Sequence, residues 1–379
     1  MQPISTKITQ LLDIQSPILA APMAFASTAD LAAAVTGKGG YGFVGAGFDT
    51  SEQLKTTLGS ARKTLKIADD APLPIGVGFL GWICDMTEAS EDPRIPTVLE
   101  EKVTAVWFAF GNDLLKYINT VREYDAKRAH KTKIFCCCNS VDEALRAANE
   151  WKVDVIVAQG VEAGGHGSSH SPPLLNFIPA VKAALPHGPP IVAAGGIATG
   201  AQVAGLLTMG ADAVVLGTRF LFTPECQYTE QMKNVLVAST WESTERSGAY
   251  DQAFQTDFWP AHVDGRAIST NDVMKDFKAG LPLEERINRY KEANAAGSDS
   301  HLIMWAGVGV AQTNDIRPAA DVFEEIHTDA VKTLQSAPVL LKSVSDRSAA
   351  PSPPPARPAA RTPSPRRQQR VKLFGCPIF

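Results

Sequence analysis

The chain has few cysteines, and their spacing suits neither disulfide staples nor metal binding. Cys136, Cys137 and Cys138 are consecutive in a strand-like run, Cys84, Cys226 and Cys376 stand apart, and no C-x-x-C occurs. That disfavours a zinc site and a disulfide framework; reduced, mostly buried thiols are expected. Long apolar runs are missing too, so nothing reads as a membrane span. The start, Met1-Gln-Pro-Ile-Ser-Thr-Lys-Ile, lacks the charged-then-apolar pattern of a secretion signal, and the end, Cys376-Pro-Ile-Phe379, fits prenylation poorly. A cytoplasmic protein is the default expectation. Net positive charge is missing from the body. From Lys342 onward eight Lys or Arg face one acid, Asp346, a net of +7; the whole chain carries −4, so the part before it carries −11. An acidic body argues against nucleic acid as a partner. G-x-G-x-x-G is absent after the first strand, which argues against a Rossmann dinucleotide site.

What is present is a repeat of short apolar runs and helical patterns. At 45% hydrophobic over 379 residues there is material for a large core. Strands are expected at 18–21, 41–46, 73–79, 103–110, 133–138, 153–159, 190–194 and 212–216. Helices are expected between them, among them 51–65, 141–151 behind Ser140, 174–185 and 199–209 with Gly210 as C-cap. Eight such units at roughly 30-residue spacing select a closed (β/α)₈ TIM barrel over an open doubly wound sheet. Residues 223–300 break the repeat and are expected to be a mainly helical insertion after strand eight, covering the carboxyl-end mouth. Residues 1–222 and 301–342 would form the barrel, closed by a helix over 319–334. Residues 343–379, rich in Pro, Ser and Arg, are expected to be a disordered tail.

The chemistry gathers where strands end. Val153-Asp-Val-Ile-Val-Ala158-Gln159-Gly160-Val-Glu-Ala-Gly164-Gly165-His166-Gly167 reads as a buried strand running into a glycine loop with one histidine. Its glycines are taken as positions for positive φ and close ligand approach, not for packing. Ala194-Gly195-Gly196 and Leu216-Gly217-Thr218-Arg219 end strands seven and eight, where such barrels hold phosphate on bare backbone N–H groups. A barrel with that grip commonly holds flavin mononucleotide (FMN). Small strand ends, namely Ala21, Pro22, Met23, Gly45, Gly76 and Gly78, would floor the ring. Gln159 is the candidate for its pyrimidine edge, and Phe25, Trp107 and Trp305 are candidates for an apolar substrate pocket. His170 and His262 rank lower: the first reads as a solvated loop residue, the second as an insertion residue that could reach the site.

The set Ala20-Ala-Pro22-Met23, Gln159-Gly-Val-Glu-Ala-Gly164-Gly165-His166-Gly167, Ala194-Gly195-Gly196-Ile197 and Gly210 through Phe220 resembles the nitronate monooxygenases, formerly called 2-nitropropane dioxygenases. The resemblance covers roughly residues 18 to 334. It implies one non-covalent FMN and no metal, with His166 as the catalytic histidine. It implies phosphate contacts at Gly195, Gly196, Gly217 and Thr218, and cofactor contacts at Pro22, Met23, Gln159, Gly164 and Gly165. Cys137 departs from the pattern, since some relatives carry lysine or glutamine there; a thiol supplies neither that charge nor that hydrogen bond. The implied reaction takes an alkyl nitronate, or its parent nitroalkane, and dioxygen to a carbonyl compound and nitrite. His166 would offset the anion's charge if protonated or take the α-proton if neutral. A homodimer is allowed for; a membrane partner is not expected. The rival reading on the same barrel is an FMN-dependent NAD(P)H:quinone or enoyl-thioester reductase. From another class, an inactive barrel would present the Pro/Arg tail to a partner.

Overall fold

The structure is a computed structural model, and it describes residues 1–256 and 258–341. The expectation for the tail falls outside them. Eleven strands are present among the described residues: β1 (Ile18–Ala20), β2 (Tyr41–Gly45), β3 (Leu73–Leu80), β4 (Val103–Ala109), β5 (Lys133–Cys138), β6 (Val155–Gln159), β7 (Gly165–Ser168), β8 (Ile191–Ala194), β9 (Ala213–Leu216), β10 (Thr244–Ser247) and β11 (Val263–Ile268). Eight of them close into a parallel barrel in the order β1-β2-β3-β4-β5-β6-β8-β9. These eight are the strands expected from sequence, each shifted by two residues or fewer at its ends. No helix among the described residues is long and apolar enough to cross a membrane.

Strand alternation divides the core in two. Leu19, Phe43, Trp107, Phe135, Cys137, Val155 and Val192 fill the barrel. Ile18, Val44, Val106, Ile134, Cys136, Cys138 and Ile156 face the surrounding helices. The cysteine triplet thus fills both faces of β5. Gly76 belongs inside as well. A Cβ there would lie 2.2 Å from the Phe43 ring, so Gly76 makes room for a core aromatic one layer below the mouth and does not floor a ligand.

The helices start where side chains can cap them. Thr28, Thr50, Ser140 and Thr199 each accept from a first-turn N–H, a contact of about 1 kcal/mol. The cap at Thr199 starts the helix Gly200–Thr208 directly after the Gly195-Gly196 turn; Met209 is its C-cap, and Gly210 follows at φ +107°. Helix Ala319–Ser336 closes the ring against it where Ile326 and Ala330 meet Gly200.

The insertion contains more than helices. It carries helices Glu230–Val237, Ala249–Phe254, Asp272–Lys278 and Leu283–Ala295, and it also supplies β10 and β11. These two strands join β7 in an antiparallel three-stranded sheet, order β10-β11-β7, in which His166 pairs with Gly265. The glycine loop after β6 is therefore an edge strand held by the insertion. Barrel and insertion form one compact unit, Met1–Ser336.

Candidate active site

A cavity of about 570 Å³ opens at the carboxyl ends of the barrel strands. Its wall includes Pro22, Met23, Gln159, Gly164, Gly165, His166, Gly195, Gly196, Gly217 and Thr218, ten residues drawn from the ends of β1, β6, β8 and β9 and from β7 with the turn before it. Phe25, Trp107, Trp305 and Cys137 line it as well. No Lys, Arg, Asp or Glu does so among the described residues, and His166 is the one histidine. Nor do those residues form any group of three or more His, Cys, Asp or Glu that could hold a metal ion.

The turns after β8 and β9 differ in what their glycines do. Gly195 and Gly196 sit at φ +127° and +65°, backbone that a side chain strains. A Cβ on Gly196 would also come within 2.8 Å of Glu162. Gly217 is under no such constraint: its φ is −105°, and a Cβ would find Ala21 and Met23 at 3.7 Å. Among the described residues the backbone N–H groups of Gly196, Gly217 and Thr218 are given no acceptor by the protein. Thr218 Oγ1 accepts from the Gly307 N–H at 2.8 Å, which leaves its hydroxyl proton to donate elsewhere.

The glycines of the histidine loop include a packing position, contrary to the expectation. A Cβ on Gly164 would sit 2.2 Å from the Gly307 nitrogen and 2.3 Å from the Ala306 carbonyl carbon. Gly164 lets the 306–307 segment touch the loop, while Gly165, at φ +68°, has open space around it.

His166 is held from several sides. Its Nε2 lies 2.8 Å from Asp251 Oδ1. Trp259 stacks on the imidazole with ring centroids 3.5 Å apart and planes 10° from parallel, and Trp305 leans on it at 4.6 Å. Thr256 Oγ1 donates to the same Asp251 oxygen at 3.0 Å. The insertion supplies Asp251, Thr256 and Trp259. Sequence reasoning placed the insertion over the mouth but found no signal for Asp251, which no motif marks. Gln159 also braces the histidine segment. Its Nε2 donates to the His166 carbonyl at 3.1 Å, and its Oε1 accepts from Asn139 at 2.9 Å and more weakly from the Cys137 thiol at 3.7 Å. Burial pushes the Cys137 thiol well above its usual range, so it is a neutral donor. His170 and His262 stack on each other at 4.2 Å, exposed, and do not line the cavity.

Arg246 clamps the loop at both ends. Its guanidinium donates to the carbonyls of Ala163 and Gly167 and to Asp264, and the side chain is 8% exposed. Arg246→Met leaves these acceptors unmet and Asp264 unpaired. Thermal denaturation should report a loss of about 2–4 kcal/mol. A melting temperature within a degree of the parent's would show that the clamp contributes little.

Comparison with known proteins adds a family to this geometry. The family model described as "Nitronate monooxygenase" matches residues 5–79 and 82–329. A nitronate monooxygenase of Neurospora crassa is 34% identical over 344 residues, covering 84% of this chain and 90% of that protein. Nitronate monooxygenase npaC of Metarhizium robertsii is 29% identical over 84% of this chain and 92% of its own. Among solved structures, FabK from Thermotoga maritima superposes with a TM-score of 0.72 at 26% identity, covering 89% of this chain and all of its own. A nitroalkane oxidase from Streptomyces ansochromogenes does so with a TM-score of 0.69 at 25% identity, covering 87% and 99%.

Proposed function

The chain belongs to the nitronate monooxygenase family, and from that premise we propose that it is an FMN-dependent oxidoreductase that converts alkyl nitronates and dioxygen to carbonyl compounds and nitrite. The observation that carries this reading is a cavity that, among the described residues, is lined by one imidazole and no Lys, Arg, Asp or Glu, beside two turns whose backbone N–H groups are given no acceptor by those residues.

The residues fit the cofactor. Free N–H groups at Gly196, Gly217 and Thr218, with the Thr218 hydroxyl, offer donors to a phosphate. The space beside Gly217 admits it, since nothing nearer than 3.7 Å faces a Cβ there. Pro22, Met23 and the half-buried Gln159 amide give a flat apolar ring small neighbours and one polar contact. Bound there, the flavin supplies electron acceptance from the substrate and reaction with dioxygen. The protein's own part is to desolvate the nitronate between apolar walls, to hold its orientation, and to place His166 where a proton or a positive charge is needed.

The cavity's lack of cations favours this reading over the reductase reading. NAD(P)H and acyl thioesters of coenzyme A carry several phosphates, and no Lys or Arg among the described residues lines the cavity to meet them. The deciding measurement is the visible flavin spectrum under anaerobic conditions. Addition of an alkyl nitronate should bleach it rapidly; NAD(P)H should not. The opposite pattern would establish the reductase.

The same lack sets the substrate's charge. A nitronate that also bears a carboxylate, such as that of 3-nitropropionate, would place a second anion among aromatic side chains with no Lys or Arg among the described residues to meet it. Its kcat/KM should lie about 10- to 100-fold below that of an uncharged alkyl nitronate of equal length. Equal values in steady-state assays would place a cation at the mouth after all.

A further inference from the structure

His166 commits one ring nitrogen and leaves the other free. Nε2 is 2.8 Å from Asp251 Oδ1, and among the described residues Nδ1 makes no hydrogen bond within the protein. An ionised carboxylate only accepts, so Nε2 carries the proton of the neutral ring and Nδ1 carries the lone pair. The aspartate side chain is 10% exposed and the histidine 13%, so water competes weakly for the contact. Thr256 Oγ1 donates to the same carboxylate oxygen at 3.0 Å and helps fix it in place. The Trp259 face, 3.5 Å from the imidazole, together with Trp305, opposes the ring flip that would exchange the two nitrogens.

Resting on the function proposed above, we propose that Asp251 is a positioning residue that locks His166 in the Nε2–H tautomer and thereby makes Nδ1 the base for neutral nitroalkanes. In that step the α-carbon's C–H bond breaks and an N–H bond forms at Nδ1. The C–H electron pair becomes the carbon–nitrogen double bond of the nitronate, and the negative charge settles on the nitro oxygens. His166 becomes an imidazolium whose Nε2–H still donates to Asp251. The carboxylate then stabilises the cation it helped create, and the cation offsets the charge of the nitronate beside it. A nitronate supplied ready-made skips the step.

The test compares two substrates and adds one spectrum. Asp251→Asn can turn its amide donor toward Nε2 and favour the opposite tautomer. Turnover of a neutral nitroalkane should fall about 10²–10⁴-fold. Turnover of the matching nitronate should fall about tenfold or less, and Asp251→Glu should recover part of the nitroalkane activity. In ¹⁵N-histidine spectra of the flavin-loaded wild type, the signals lost in His166→Asn should report a protonated Nε2 and a bare Nδ1. A proportional fall for both substrates, or a proton found on Nδ1, would overturn the assignment. A wild type that oxidises nitronates but no nitroalkane would overturn the base step. A wild type that oxidises neither would overturn the reading beneath it.

Discussion

His166→Asn should abolish nitroalkane oxidation, with kcat/KM falling about 10³–10⁴-fold, while the flavin stays bound. The magnitude follows from what the residue does. Deletion of a general base alone removes about 10²–10⁴, and in the proposed step the same side chain also offsets the charge of the anion it makes. Preformed nitronate should suffer as well, by about 10- to 100-fold, because it loses that counter-charge though not a base. This separates the variant from Asp251→Asn, whose effect on nitronate is smaller. Flavin retention is expected because the donors proposed for the phosphate belong to the turns after β8 and β9 and not to β7. Among the described residues Asp251 would keep only the Thr256 hydroxyl as a side-chain partner, so a stability loss of about 1–3 kcal/mol should accompany the change. Steady-state rates with both substrates, flavin content and a thermal melt give the full comparison. Nitroalkane activity within tenfold of the parent's would remove His166 from the chemistry.

Gly217→Ala should fold normally and bind FMN about 10- to 100-fold more weakly. Most substitutions at a cofactor turn confound folding with binding, and this position avoids that. Its φ of −105° suits any residue, and the new methyl would meet Ala21 and Met23 at 3.7 Å, ordinary contact distance. The melting temperature of the flavin-free protein should therefore stay within a degree or two. A phosphate that needs to approach the Gly217 and Thr218 N–H groups would meet the added carbon. Gly196→Ala is the contrasting case. At φ +65° and 2.8 Å from Glu162, it should destabilise the fold whether or not flavin is present. Fluorescence titration of flavin into the stripped Gly217→Ala protein gives the affinity; a value equal to the parent's would move the phosphate elsewhere.

The barrel was legible because parallel strands covered on both faces are continuous apolar runs, and their spacing counted to eight. That two glycine turns and the histidine would meet at the mouth was legible for a related reason: glycines directly after such runs mark places where backbone must do something a side chain prevents. Other features left weaker traces. The helices Gly81–Thr87 and Arg94–Glu100 begin at Leu80 and Pro93 without a side-chain cap, so neither carried a start signal. β7 reads Gly-His-Gly-Ser, among the poorest strand sequences available, and exists as a strand because β11 pairs with it from about a hundred residues away. Asp251 is 85 residues from His166 in a segment whose local pattern says only helix. Gly164 misled for a different reason: sequence reveals a missing side chain but not whether a ligand or another stretch of backbone takes the space.

The β7–β11 pairing carries a consequence about parity. Side chains alternate across a strand, so the register that sets His166 opposite Gly265 also decides which way the imidazole faces. Deleting one residue from β11 would leave every amino acid of the cavity wall in the chain, yet it would force one of the paired strands to turn over. The length of β11, a strand that lines none of the cavity, is thus an odd-or-even setting for whether the barrel mouth has its imidazole.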